Sequence, residues 1–392
     1  VEPVPSPSDR TGSPASGPAP LDHAIALARS WAGEERLATI VAGSHADGSA
    51  VWTRDEGRPV SLSDLDLYVV MPSERSRDAA RARAAADRAG LAARLLAIGF
   101  AAPLEVGFHT PPDLERLPAR PGTLELRRRG RVVEGDPSWL ARVPAWEARE
   151  VSGEEVLLLL ENRGFELLWA ESMPADGRAL TALRRRHAVL KAALDLAAVI
   201  TLAAGEYPET AAARVAWARS RRERARTPEP PWDEALAWRA GEVRALEPAL
   251  AEAERVRTVR AWVAVWRSLS GAGAGGDPFR AARGLARRAR LRRRLRWGVL
   301  PGSPEARLEP WTRRARLAPA GTPRHRLHAA AAAHLVLESA AGAGADRALE
   351  RDYRRTMRAL GAPAADPARA ARGLVEAWDR GLHDGQRTEG WS

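Results

Sequence analysis

The strongest constraint on the fold is a pair of carboxylates two residues apart at the head of an apolar strand, Ser63-Asp64-Leu65-Asp66-Leu67-Tyr68-Val69-Val70. Residues i and i+2 of a strand point to the same face. Asp64 and Asp66 therefore project together while Leu65 and Leu67 enter a core. Upstream, Leu37-Ala38-Thr39-Ile40-Val41-Ala42 reads as a strand closed by a small-residue bend, Gly43-Ser44. Downstream, a third acid sits in another short apolar run, Leu104-Glu105-Val106-Gly107-Phe108. Adjacent bare carboxylates repel, and a divalent cation relieves that repulsion. Mg²⁺ favours carboxylate together with phosphate oxygens, and a pair of such ions suits phosphoryl or nucleotidyl transfer.

Punctuation along the chain divides it into an α+β part and a helical part. A helix over 21–31 precedes the first strand, and a polar loop over 45–63 carrying Arg54 and Arg58 separates it from the Asp64 strand. Pro72-Ser73 opens a helix over 74–98. The Glu105 strand, a short helix from Pro111 to Leu117 and a strand over Arg131–Glu134 complete a unit spanning 21–148. After Arg149 the pattern is helical: 153–171 behind a Ser152/Glu155 capping pair, then 179–204, 210–224 and 233–269. Gly271–Gly276 reads as a flexible link, followed by a further helical region over 277–392. The fold class expected is α+β, a small mixed β-sheet domain followed by a long all-helical region. Residues 1–20, rich in Pro, Ser and Gly, read as a disordered tail.

The ordered set of Gly43-Ser44, Asp64, Asp66 and Glu105, each on its own element, resembles the DNA polymerase β-like nucleotidyltransferase superfamily. The likeness covers about residues 21–143, and a helical partner domain is usual in its small-molecule and RNA-directed members. It implies that Asp64 and Asp66 hold the metal carrying the nucleotide phosphates. Glu105 would join them on a second metal near the acceptor hydroxyl, and Gly43 and Ser44 would approach the β- and γ-phosphates. The implied activity is transfer of a nucleoside monophosphate from an NTP to a hydroxyl, with two Mg²⁺ ions and release of pyrophosphate. One departure stands out: nineteen residues separate Ser44 from Asp64, more than the family usually has. Other readings of the same residues are a fold that binds nucleotide or nucleic acid without turnover, and an antitoxin-type transferase whose acceptor is a partner protein. For each acid the plain alternative is a solvated strand end, and for Gly43-Ser44 an ordinary turn.

His187, Lys191 and Asp195 form an i, i+4, i+8 stripe on an otherwise apolar helix, with Arg184 one turn earlier. Lys191 is the single lysine of the chain, and a compact ammonium differs from a guanidinium in shape and hydration. Lys191 and His187 are therefore candidates for binding the triphosphate or the acceptor, against the alternative of a Lys191–Asp195 surface pair. Glu161 and Arg163 read as a solvated helix face.

Charge adds a weaker indication. The net charge is +11, which favours anionic partners, although arginine is used almost everywhere a cation occurs. Nine arginines and no carboxylate lie between Arg280 and Arg296, followed by Trp297, a composition able to neutralise RNA phosphates and stack a base. With no cysteine in the chain, disulfides, cysteine nucleophiles and thiolate metal sites are excluded. No run approaches the roughly 20 apolar residues of a membrane span, and a cytoplasmic location is expected.

Overall fold

The structure is a computed structural model and describes residues 19–174, 176–225, 228–270, 277–279, 281, 323–340, 347–360 and 366–388. It is α+β: a four-stranded mixed sheet and a two-stranded hairpin, followed by a long helical region. The chain divides into two compact units, 1–117 with 125–144, and 118–124 with 145–392. The Arg280–Arg296 segment, apart from Ala281, lies outside the described residues.

In the first unit the strands are β1 (Ala38–Ala42), β2 (Trp52–Asp55), β3 (Arg58–Ser61), β4 (Leu65–Val70), β5 (Leu104–His109) and β6 (Arg131–Glu134). The main sheet runs β5-β4-β1-β6. β1 is antiparallel to both β4 and β6, and β4 is parallel to β5. Alternation along the strands sorts their side chains. Val41, Leu65, Leu67, Val69 and Phe108 pack with Leu21, Ile25 and Trp31 of helix α1 (Ala19–Ala32) and with Ala80 and Leu95. Ala80 belongs to α2 (Glu74–Ala86) and Leu95 to α3 (Leu91–Ala97). The opposite face sets Ala38, Ile40, Ala42 and Val70 against Leu114, Leu117, Leu126 and Val143. Leu114 lies on α4 (Pro111–Glu115) and Leu126 on α5 (Pro121–Arg129), ahead of the short α6 (Trp139–Arg142).

Several elements of the first unit differ from the sequence reading. The loop over 45–63 contains the β2–β3 hairpin, turned by Glu56 (φ 50°) and Gly57 (φ 80°). Val60 and Leu62 are buried, and Ser61 bridges to Phe100, which gives the hairpin an apolar seat. The helix over 74–98 is two helices, because Gly90 adopts φ 75° and caps the start of α3. Helices α5 and α6 were not anticipated.

The second unit comprises α7 (Gly153–Ser172), α8 (Ala179–Ala203), α9 (Ala211–Ala225), α10 (Trp232–Arg239), α11 (Pro248–Ser270), α12 (Pro323–Ser339), α13 (Arg347–Ala359) and α14 (Pro367–Thr388). The expected 233–269 helix is α10 plus α11, interrupted where Gly241 takes φ 102° and before Pro248. The Ser152 hydroxyl accepts from the Glu155 N–H at 3.3 Å and starts α7. One core holds Leu160, Phe165 and Leu168 of α7, Leu196 and Val199 of α8, Trp262 and Trp266 of α11, and Leu335, Leu349 and Leu374 from the last three helices. Trp262 Nε1 in this core donates to Leu160 O, and Trp232 Nε1 elsewhere in the unit donates to Ala193 O, each at 2.7 Å. Buried polar groups paired in this way avoid a desolvation cost.

Candidate active site

Strand register brings the acids of the first unit to one end of the sheet. Asp66 is the partner of Ala42 on β1 and of Glu105 on β5. Paired residues on neighbouring strands share a face, so Asp66 and Glu105 stand side by side. Leu65 and Leu67, 0% and 1% exposed, take the opposite face. Asp64 precedes β4 by one residue, and the Leu65 N–H bonds to Pro103 O at 3.1 Å, fixing the strand entrance. Asp64 and Asp66 are half-buried and Glu105 is exposed, as hydrophilic ligating groups at a solvent-accessible site need to be.

The bend expected beside the acids lies there. Gly43, Ser44 and His45 form one 3₁₀ turn closed by Ala46 N donating to Gly43 O at 3.1 Å. Gly43 has φ +62°, and a Cβ at this position would lie 3.0 Å from Asp66 Oδ2. Only glycine combines that conformation with so close an approach to the carboxylate.

Behind the bend is a buried polar cluster that sequence reasoning missed. His45, 5% exposed, places Nε2 at 3.1 Å from Ser61 Oγ and 3.3 Å from Ser63 O. Ser61 Oγ donates to Ser63 O at 3.0 Å, and Val51 N donates to Ser63 Oγ at 2.9 Å. The imidazole also meets Trp52 edge-on at 5.6 Å and Phe100 at 5.4 Å. Burial pushes the His45 pKa down, against the Ser63 carbonyl and Asp64, which favour the charged form. The cluster ties the bend at 43–45 to the segment that delivers Asp64. The signal available in sequence was a histidine directly after the Gly-Ser bend, together with Ser-x-Ser before Asp64.

Further along the same face, Tyr68 stacks on His109, centroids 5.3 Å apart at 18°. A Cβ on Gly107 would meet His109 Nε2 at 2.6 Å, so this glycine leaves room for the imidazole. Burial, with the Arg81 charge second, lowers the His109 pKa to about 4.

The remaining candidates lie on other elements. Arg54 is exposed and bonds through Nη1 to Gly57 O at 2.8 Å, bracing the hairpin turn, and Arg58 is exposed on β3. His187 and Lys191 lie on α8 in the second unit. His187 Nδ1 accepts from Trp238 Nε1 at 3.1 Å, and Lys191 Nζ donates to Glu166 Oε1 at 3.0 Å. Asp195 pairs with Arg163 at 2.6 Å, and Arg163 also pairs with Glu166. Arg163 is thus a half-buried link between α7 and α8 rather than part of a solvated face. The Arg184 guanidinium lies 5.2 Å over the Trp169 ring.

Compared with protein families, curated proteins and solved structures, the chain finds no match. Among the described residues, no helix is long and apolar enough to cross a membrane.

Proposed function

We propose that the chain is a metal-dependent nucleotidyltransferase, moving a nucleoside monophosphate from an NTP to an acceptor hydroxyl on a small molecule, RNA or protein. The observation that carries this reading is the placement of Asp66 in register with Glu105, with the substituent-free Gly43 against its carboxylate. Asp64, Asp66 and Glu105 offer oxygen donors alone, the set that Mg²⁺ prefers. When bound there, Mg²⁺ would neutralise phosphate charge and lower the pKa of an acceptor hydroxyl.

In the proposed reaction the acceptor oxygen attacks the α-phosphorus, the bond to the β-phosphate bridging oxygen breaks, and pyrophosphate leaves. Glu105, exposed and in register with Asp66, takes the hydroxyl proton. Gly43 leaves the backbone open to the phosphate tail, and the Ser44 hydroxyl adds a donor. The His45–Ser61–Ser63 cluster positions this bend and Asp64 without touching substrate.

The test incubates the purified chain with Mg²⁺ and each α-labelled NTP, with aminoglycoside, RNA and protein acceptors, and follows pyrophosphate and transferred label. Asp64→Ala/Asp66→Ala is expected to abolish turnover while circular dichroism stays unchanged. Turnover equal to wild type in that folded variant would remove the metal site. Nucleotide binding with no pyrophosphate from the wild type would instead identify a binding protein of this fold.

A further inference from the structure

The helical unit gathers a second set of ligating side chains, far along the chain from the sheet acids. His334 and Glu338 lie one turn apart on α12, a spacing that puts both on one helix face. Glu171 comes from the last turn of α7. One ligand atom from each of the three lies within 4.8 Å of the others. His334 is 6% exposed. Its Nδ1 is 2.8 Å from the Tyr353 hydroxyl on α13, and its Nε2 is 3.0 Å from Glu171 Oε2.

Glu338 is what makes the cluster unusual. Its Oε1 pairs with Arg255, but its Oε2 is buried and has no hydrogen-bond partner. A buried carboxylate oxygen without a partner is costly. Arg255 does not cancel the acidic charge here, because it also donates to both oxygens of Glu252, at 2.9 and 2.8 Å.

We propose that Glu171, His334 and Glu338 bind one Zn²⁺ ion, through His334 Nε2, a Glu171 oxygen and the unpartnered Oε2 of Glu338. One imidazole and two carboxylates form a mixed nitrogen–oxygen set that suits zinc, whereas Mg²⁺ and Ca²⁺ prefer oxygen alone. A ligating histidine ordinarily donates its other ring N–H to a fixed acceptor, and the Tyr353 hydroxyl stands at that distance from Nδ1. The 3.0 Å between Nε2 and Glu171 Oε2 is close to the edge of a tetrahedron with ligands about 2.0–2.1 Å from zinc. One carboxylate oxygen of Glu338 lies within 4.8 Å of the other two ligand atoms, near enough to complete the set. The ion fastens α12 to α7, elements 163 residues apart at the His334–Glu171 contact, and stabilises the folded helical unit by mass action. The inference is independent of the transferase reading.

The experiment uses the full chain without a histidine tag, in a D64A/D66A background so that the sheet acids do not contribute metal. After chelator stripping and dialysis against zinc, elemental analysis is expected to find one zinc per chain. Co²⁺ in its place is expected to give visible bands of tetrahedral intensity. Glu338→Gln is expected to lose the metal, the bands and the zinc-dependent rise in Tm. Tyr353→Phe, which leaves all three ligands in place, is expected to weaken zinc binding about 10- to 100-fold, and it serves as the second readout where the Glu338 variant does not fold. Folded background protein with no stoichiometric zinc, or zinc content equal in folded Glu338→Gln, would overturn the site and leave His334 as a hydrogen-bonded link between Glu171 and Tyr353.

Discussion

Gly43 sits at φ +62°, and a Cβ there would lie 3.0 Å from Asp66 Oδ2. Gly43→Ala is expected to destabilise the fold by roughly 1–2 kcal/mol through the left-handed backbone alone. It should also displace the Asp66 carboxylate. Urea unfolding measures the first effect, and the transferase assay, run on the folded fraction, the second. At the other end of the same sheet face, His109 makes a pH prediction. Its folded pKa of about 4 lies below the ordinary 6.5, so the unfolded chain binds more protons between these values. The stability this neutral, buried imidazole contributes is fully present above pH 6.5 and is lost as pH falls towards 4, about 3 kcal/mol in all. Urea midpoints between pH 7.5 and 4.5 should therefore fall more steeply in wild type than in His109→Gln.

Among the elements, α7 and α11 meet at a glycine. A Cβ on Gly164 would lie 2.9 Å from the Trp262 ring, whose Nε1 is held by Leu160 O. The ring cannot retreat without losing that bond. Gly164→Ala is expected to cost about 1–3 kcal/mol by overpacking, visible as a lower thermal midpoint; an unchanged midpoint would mean that the two helices separate freely. How far such elements are legible in sequence depends on whether their cause is local. β4 and β5 announce themselves through period-two alternation and β1 through an apolar run closed by Gly43-Ser44, and the shared face of Asp66 and Glu105 follows from register. The β2–β3 hairpin is obscured: Trp52-Thr53-Arg54-Asp55 is largely polar, and its Glu56-Gly57 turn lacks the Asn-Gly or Asp-Gly signal. Its stabilisation comes from Ser61 bridging to Phe100, which is tertiary. The His45–Ser61–Ser63 cluster exists only once that hairpin closes, so it was hidden too. His334 and Glu171 meet across 163 residues, and no local pattern records such a contact.

At the scale of the whole molecule, neither compact unit is a continuous stretch of chain. Residues 118–124 belong with 145–392, although 125–144 return to the first unit. Helix α5 carries the crossing, with Leu124 in the helical core and Leu126 in the core beneath the sheet. Leu124 is 1% exposed, and Leu124→Ala is expected to cost about 2–5 kcal/mol. Hydrogen exchange should report faster opening in α7 and α8, with the β-sheet amides changed less. Equal loss in both sets would show that the molecule opens as one cooperative body.

The interleaved chain path also orders events during synthesis. When residue 144 leaves the ribosome the whole sheet is available to assemble, yet Leu124 must wait for helices not yet translated. A truncated product ending there would leave Leu124 without the core that buries it.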